Sequence, residues 1–187
     1  MSDYEIHTAR LVLRRASEAD PHALNKAVQD PRIFRNVGTI PPFQTLEDTI
    51  RQQRQRAARA AEGKGAGFCA YLDGELMGMA GGGENEATGI IDFGYWIAPH
   101  HWGQGYATEA ARAVLHWFVA VQGRRQFTAS YFLDNPASGR VLEKLGFRKV
   151  GTSLQASAGR ETESGTADMI WPQDDAILTR LLEAPHG

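Results

Sequence analysis

Trp102-Gly103-Gln104-Gly105-Tyr106-Ala107, continued by Thr108-Glu109-Ala110, places two glycines between an apolar run, Ile90 to Ile97, and an alanine-rich amphipathic stretch. A strand, a glycine turn and a helix start in that order can cradle an anion. Glycine lets the backbone approach a ligand closely. The first amides of the helix have no internal partner and point outward with the helix dipole behind them, which suits a phosphate or pyrophosphate. Two plainer readings compete: an ordinary turn, and a dinucleotide-binding turn. The latter lacks its third glycine, and no Walker-type Gly-Lys-Ser/Thr follows. Asn135-Pro136-Ala137-Ser138 is a second chemical segment, a helix cap followed by proline at the first helical position.

The elements that must position these residues follow from periodicity and punctuation. Leu11-Val12-Leu13 reads as a first strand. Pro21 to Val28 reads as a helix capped by Asp20 and stopped at Asp30-Pro31. Leu46 to Ala61 reads as a helix with a Thr45/Asp48 capping box, ended by Gly63, Gly65 and Gly67. Phe68 to Leu72 and Leu76 to Ala80 form a hairpin turned at Asp73-Gly74. Gly81-Gly82-Gly83 and Glu84 to Thr88 read as a flexible loop. Strands follow at 90–97 and 127–133, and helices at Tyr106 to Val121 and Pro136 to Leu145. Phe147 to Leu154 and Thr166 to Trp171 read as closing strands, and Asp175 to Leu182 as a last short helix. The expected fold is α/β, a mixed and mostly antiparallel sheet with helices on both faces, in one domain over residues 1–187. A formal charge of −2 speaks against nucleic acid or an anionic membrane as partner. No apolar run reaches a membrane span, the polar start argues against a signal peptide, and Cys69 is the sole cysteine. The expectation is a cytoplasmic protein, monomer or homodimer.

Segments 92–110 and 135–147 stand in the order and spacing of a known family. Asp92-Phe93-Gly94-Tyr95-Trp96-Ile97, the glycine segment, Asn135 to Ser138 and Leu142-Glu143-Lys144-Leu145-Gly146-Phe147 carry the likeness. The chain resembles the GNAT superfamily of acetyl-CoA-dependent N-acetyltransferases, and within it the branch that acetylates N-termini of ribosomal proteins. The opening Thr8-Ala9-Arg10-Leu11-Val12-Leu13-Arg14 is also similar to that branch. The resemblance implies a split between two parallel strands, 90–97 and 127–133. The pantetheine arm of acetyl-CoA would enter it and pair with the backbone of Tyr95, Trp96, Ile97 and Ala98. The pyrophosphate would rest on amides of Trp102, Gly103, Gln104, Gly105, Tyr106 and Ala107, with Asn135 approaching the arm from the other side. Trp102 stands where many members carry Gln or Arg. Leu142 stands where many carry a tyrosine that protonates the departing thiolate. In the ribosomal-protein branch a serine at the position of Ser138 is given that role.

Direct acetyl transfer needs a neutral amine, a stabilised thioester oxygen and an exit for the thiolate. Neutralising a protein α-amine at pH 7 costs about 1 kcal/mol, whereas lysine costs roughly 4–5. The absence of an obvious histidine base therefore favours the α-amine, with a small amine such as an antibiotic or polyamine as alternative. A noncatalytic acyl-CoA sensor is the rival from another class. Asp92 is the first candidate base, or else a solvent-facing or paired carboxylate. Glu84 either reaches the amine or is loop surface. Ser138 either donates a proton or bonds its own backbone, and Ile97 is the expected oxyanion donor by analogy. Among the rest, Cys69 reads as core, and adjacent His100 and His101 should point apart and hold no metal. His116 reads as a solvated or edge position. Arg51, Arg54, Arg56 and Arg59 scatter around their helix as a solvated face. Phe34, Phe43 and Ile40-Pro41-Pro42 either line the acceptor pocket or pack between helices.

Overall fold

The computed structural model describes residues 5–171. An eight-stranded sheet runs in the order β1-β2-β3-β4-β5-β6-β8-β7. Its strands are β1 (Ile6–His7), β2 (Val12–Arg15), β3 (Gly65–Leu72), β4 (Glu75–Glu84), β5 (Ile91–Ile97), β6 (Phe127–Phe132), β7 (Arg148–Gln155) and β8 (Ser164–Trp171). Every neighbouring pair is antiparallel except β5 and β6. Among the described residues five α-helices accompany them: α1 (Pro21–Val28), α2 (Pro31–Phe34), α3 (Leu46–Ala61), α4 (Tyr106–Gln122) and α5 (Pro136–Lys144). The mixed sheet with helices on both faces is as expected. The proposed helix at 175–182 lies outside the described residues. No helix among those described is long and apolar enough to cross a membrane.

Local chemistry explains the boundaries. Asp20 accepts from the His22 amide at the start of α1, and Asp30 both follows α1 and caps the short α2. Thr45 and Asp48 form the reciprocal capping box of α3. Asp73 and Gly74 both adopt positive φ, 50° and 84°, as a two-residue hairpin of this twist requires. The triple glycine corrects the reading of a loop. Gly81, Gly82 and Gly83 continue β4 to Glu84, paired on one side with Gly67, Ala66 and Gly65 and on the other with Gly94, Phe93 and Asp92. Gly65 and Gly67, read as helix terminators, already belong to β3.

Two cores lie on opposite faces. Phe68, Met77, Ile91, Phe118, Phe127 and Met169 pack beneath α4 and α5. A smaller cluster of Leu24, Val28, Ile33, Cys69 and Trp96 joins α1 and α2 to the other face. Polar groups secure α3: buried Gln53 donates to the carbonyls of Ala16 and Ala19 at 2.9 Å each, and Thr49, Gln44 and Asn25 interlock by hydrogen bonds. Met79 and Trp96 follow the period-2 pattern on this face; the glycines interrupt it.

A Cβ on Gly81 would sit 2.4 Å from the Ala66 carbonyl oxygen, whereas one on Gly94 would meet nothing within 4 Å. Gly81→Ala should therefore lower stability by about 2 kcal/mol through overpacking, and Gly94→Ala should stay within about 0.5 kcal/mol, measured by urea unfolding.

Candidate active site

The parallel ladder between β5 and β6 ends almost as it begins. Ile91 pairs with Phe127 and Asp92 with Thr128, and no pairing continues beyond. β6 stays bound to β8 along its length, and β5 to β4. From Phe93 onward β5 thus presents an edge to a gap inside the sheet. A cavity of about 630 Å3 reaches this gap, lined by Tyr95, Tyr131, Ser138 and Leu142, and extends to Gln52, Arg56 and Gly83 under α3.

Missing side chains create the α3 end. Gly65, Gly83 and Asp92 form one row across β3, β4 and β5, and Gly67, Gly81 and Gly94 form the next. Above this glycine floor, Gln52, Gln55, Arg56 and Arg59 of α3 make the wall. Their spacing of three, four and seven residues puts them on one helix face, so the reading of Arg56 as solvated scatter is corrected, while Arg59 borders the cavity and is exposed as expected. Arg59 donates to the Glu84 carbonyl and covers Gly83. A hydrogen-bonded clamp fixes the far rim: Arg160 bonds Asp134 and the Arg35 carbonyl and stacks 3.8 Å over Phe132, while Ala158 donates to the Gly38 carbonyl. Ile40 lines the cavity. Phe43 is 89% exposed and does not, and Phe34 packs on the smaller core.

At the gap's mouth, Gly103 and Gly105 take φ of 76° and 86°. This conformation costs an L side chain roughly 1–2 kcal/mol. Gly105 is the N-cap of α4 and leaves that helix without a side-chain cap. Among the described residues, the amides of Gly103, Gln104 and Gly105 donate to no backbone acceptor, and those of Tyr106 and Ala107 are in the unpaired first turn. Trp102 departs from the expected cradle because its amide is committed to the Pro99 carbonyl. Its indole N–H instead pins the loop to the Ile97 carbonyl at 2.6 Å. Ala98 is also engaged, donating to the Met77 carbonyl, so its amide is not available to an incoming arm. Glu109, in the first turn of α4, accepts from the Thr8 hydroxyl, the Arg10 amide and the Arg10 guanidinium. Arg10 in turn donates to the Gln104 carbonyl and lies 4.2 Å over the Tyr106 ring. The two ends of the sequence motif are thereby tied into one brace.

Ser138, in the first turn of α5, does not turn back on its own backbone with its hydroxyl. Its Oγ lies 2.9 Å from the Tyr95 hydroxyl, which also donates to the Ser138 carbonyl at 2.8 Å. This contact spans the gap from β5 to α5. Burial pushes the Tyr95 phenol up to about 12, against the hydrogen bond with Ser138, so it keeps its proton. Tyr95 was expected only as backbone, since strand periodicity says nothing of what a hydroxyl will meet. Asn135 caps α5, its side-chain oxygen accepting from the Ser138 amide at 3.4 Å. Asp92 opens onto the cavity's α3 side and accepts from the Thr128 hydroxyl at 3.3 Å. The surrounding walls raise its carboxyl above the usual range, opposed by that hydrogen bond. Glu84 is no loop residue: it closes β4, pairs with Arg124 at 2.6 Å and lies outside the cavity lining. The rings of His100 and His101 do not point apart. They stand 4.1 Å centroid to centroid on a 3-10 turn, near Glu75. Cys69 is buried as expected, its thiol pushed up to about 12 by burial.

Residues 10–148 match the acetyltransferase (GNAT) domain family. The chain is 29% identical over 153 residues to YoaA, an uncharacterised N-acetyltransferase of Bacillus subtilis, spanning 80% of this chain and 86% of that one. It is 28% identical over 114 residues to the ribosomal-protein-serine acetyltransferase of Escherichia coli, spanning 60% and 64%. Its fold is similar to that of RimL, the ribosomal L7/L12 alpha-N-protein acetyltransferase solved with coenzyme A. That match has a TM-score of 0.73 and 18% identity, over 91% of this chain and all of that one.

A carboxyl that holds its proton more firmly when folded stabilises fully below its unfolded value, about 3.9 for Asp. That contribution is lost as pH rises through the higher folded value. Asp92→Asn should therefore melt like the parent near pH 3 and above it at neutral pH. Thermal melts across that range check this; a constant difference would contradict it.

Proposed function

Since this chain belongs to the GNAT family and is an acetyl-CoA-dependent N-acetyltransferase, we propose that its acceptor is a protein N-terminal α-amine, entering from the α3 side. The observation that carries the reading is the gap between β5 and β6, open through one cavity to the glycine floor beneath α3. Donor and acceptor can then approach the same point from opposite sides of the sheet. Acetyl-CoA supplies the activated acetyl group as a thioester.

In this reading the chain's own groups divide the work. Backbone at Tyr95 and the Ile97 amide, which alternate with the β4-bonded Trp96 and Ala98, pair with the pantetheine arm, and the amides of Gly103 to Ala107 hold the pyrophosphate. Asp92 takes the ammonium proton. Its raised carboxyl narrows the mismatch with an α-amine near 8, while a lysine near 10 remains far off. Ser138 donates a hydrogen bond to the departing sulfur, the Tyr95 hydroxyl, 2.9 Å away, orients it without giving up its own proton, and solvent protonates the released thiolate. Leu142 lines the same cavity and offers no proton. The Arg124-bound Glu84 takes no part. The ribosomal-protein names among the relatives support an N-terminal acceptor.

Ser138→Ala and Tyr95→Phe should each lower kcat, the serine variant by about 10²-fold. Gly105→Val should weaken coenzyme binding at least about tenfold, from the strain of an L residue at that φ. Thiol release with short peptides, mass spectrometry of the modified amine and calorimetry with coenzyme provide the readouts. Coenzyme binding without thiol release from any amine would replace the enzyme by a sensor, and unaltered affinity in Gly105→Val would remove the cradle.

A further inference from the structure

Among the described residues, three charged side chains line the cavity: Asp92 on β5, and Arg56 and Arg59 on α3. Arg59 is engaged with the Glu84 carbonyl. Arg56 is different. Its stem lies against Gly67, with Cδ 3.9 Å from where a Cβ there would be. Among the described residues its guanidinium has no hydrogen bond or ion pair, and burial makes its charge harder to hold. Its five donors face the cavity, where water or an anion can meet them, and a carboxylate or phosphate would answer the charge as well. The two arginines also outweigh the single aspartate, so the wall repels polycations.

The geometry points to an acceptor that carries an anion, a carboxylate or phosphate placed to meet Arg56 while the amine lies near Asp92 and the gap. This rests on the proposed transfer to an amine at the same site. The spacing follows from the sheet. Gly67 under Arg56, Gly81 and Gly94 form one row across three strands, and neighbouring strands lie about 4.8 Å apart, which puts the anion about 10 Å from the amine. An extended peptide covers this in about three residues. The preferred N-terminus therefore has an acidic side chain at its second or third residue. A polyamine or a polycationic antibiotic, considered as an acceptor from sequence, is disfavoured by the same charge balance.

The test uses the full chain with acetyl-CoA and two acceptor sets. One comprises hexapeptides differing only in Asp, Asn or Lys at positions two and three. The other comprises small primary amines with and without a carboxylate or phosphate. Wild type should prefer the Asp peptide to its Asn counterpart by about 10-fold or more in kcat/KM, expressed mainly in KM. Arg56→Met, which keeps an unbranched stem over Gly67, should bring that ratio close to one. Arg56→Lys should retain part of it. Coenzyme affinity by calorimetry and the melting temperature show that each variant is folded. The same dependence on Arg56 among small amines alone would uphold the anion and identify a small acceptor. Turnover of both peptide types at equal efficiency, or a preference that survives in Arg56→Met, would overturn the inference and leave amine acetylation standing. Failure of every acceptor in wild type would overturn both.

Discussion

A parallel ladder that stops after two rows is the constraint on which the rest of this molecule depends. Beyond Asp92 and Thr128, the edges of β5 and β6 diverge, while β5 stays paired with β4 and β6 with β8. Backbone amides and carbonyls left without a ladder must find water or a ligand. An arm rich in amides, as pantetheine is, can complete such an edge as a short strand would. The divergence is maintained by groups distant in sequence. Tyr95 and Ser138 bridge it at one point, and the indole of Trp102 fastens the following loop to the end of β5. Arg10, Thr8 and Glu109 lock the first turn of α4 to the N-terminal segment.

The other half of the site arises from what the sheet lacks. Glycines from three adjacent strands leave a trough that larger residues would fill, and α3 spans it with polar side chains. Such a helix cannot dock by apolar burial on this face. It docks through Gln53, Thr49 and their partners, where buried amides and hydroxyls satisfy backbone carbonyls and one another. A satisfied polar network holds position without closing the cavity. The apolar core is instead concentrated under α4, where Phe118, Phe127 and Phe68 are fully buried.

How much of this was legible in the sequence depended on the side chains that advertise each element. Helices with caps, such as α3 with Thr45 and Asp48, or α1 with Asp20, were readable to the residue because capping is local. The Asp73-Gly74 hairpin was readable for the same reason. Gly81 to Gly83 were misread as a loop, since glycine displays no alternation and the strand there exists only through its neighbours on both sides. Arg56 and Arg59 were set aside with Arg51 and Arg54. The stripe Gln52, Gln55, Arg56 and Arg59 was present at helical spacing, but a polar stripe announces solvent as readily as a cavity. His100 and His101 were expected to diverge, and a 3-10 turn brought their rings together.

By itself the sequence determined the order of the longer elements, though not β1 or the short α2, together with the glycine turn ahead of α4 and the family, because these rest on interactions within a few residues or on a recognisable pattern. Tertiary structure alone decided that Tyr95 meets Ser138, that Glu84 is held by Arg124 while Asp92 opens on the cavity, and that an arginine of α3 faces a floor of glycines. Those relations join residues 11 to 43 positions apart. They depend on strand register and helix docking, where a shift of one residue turns a side chain to the opposite face.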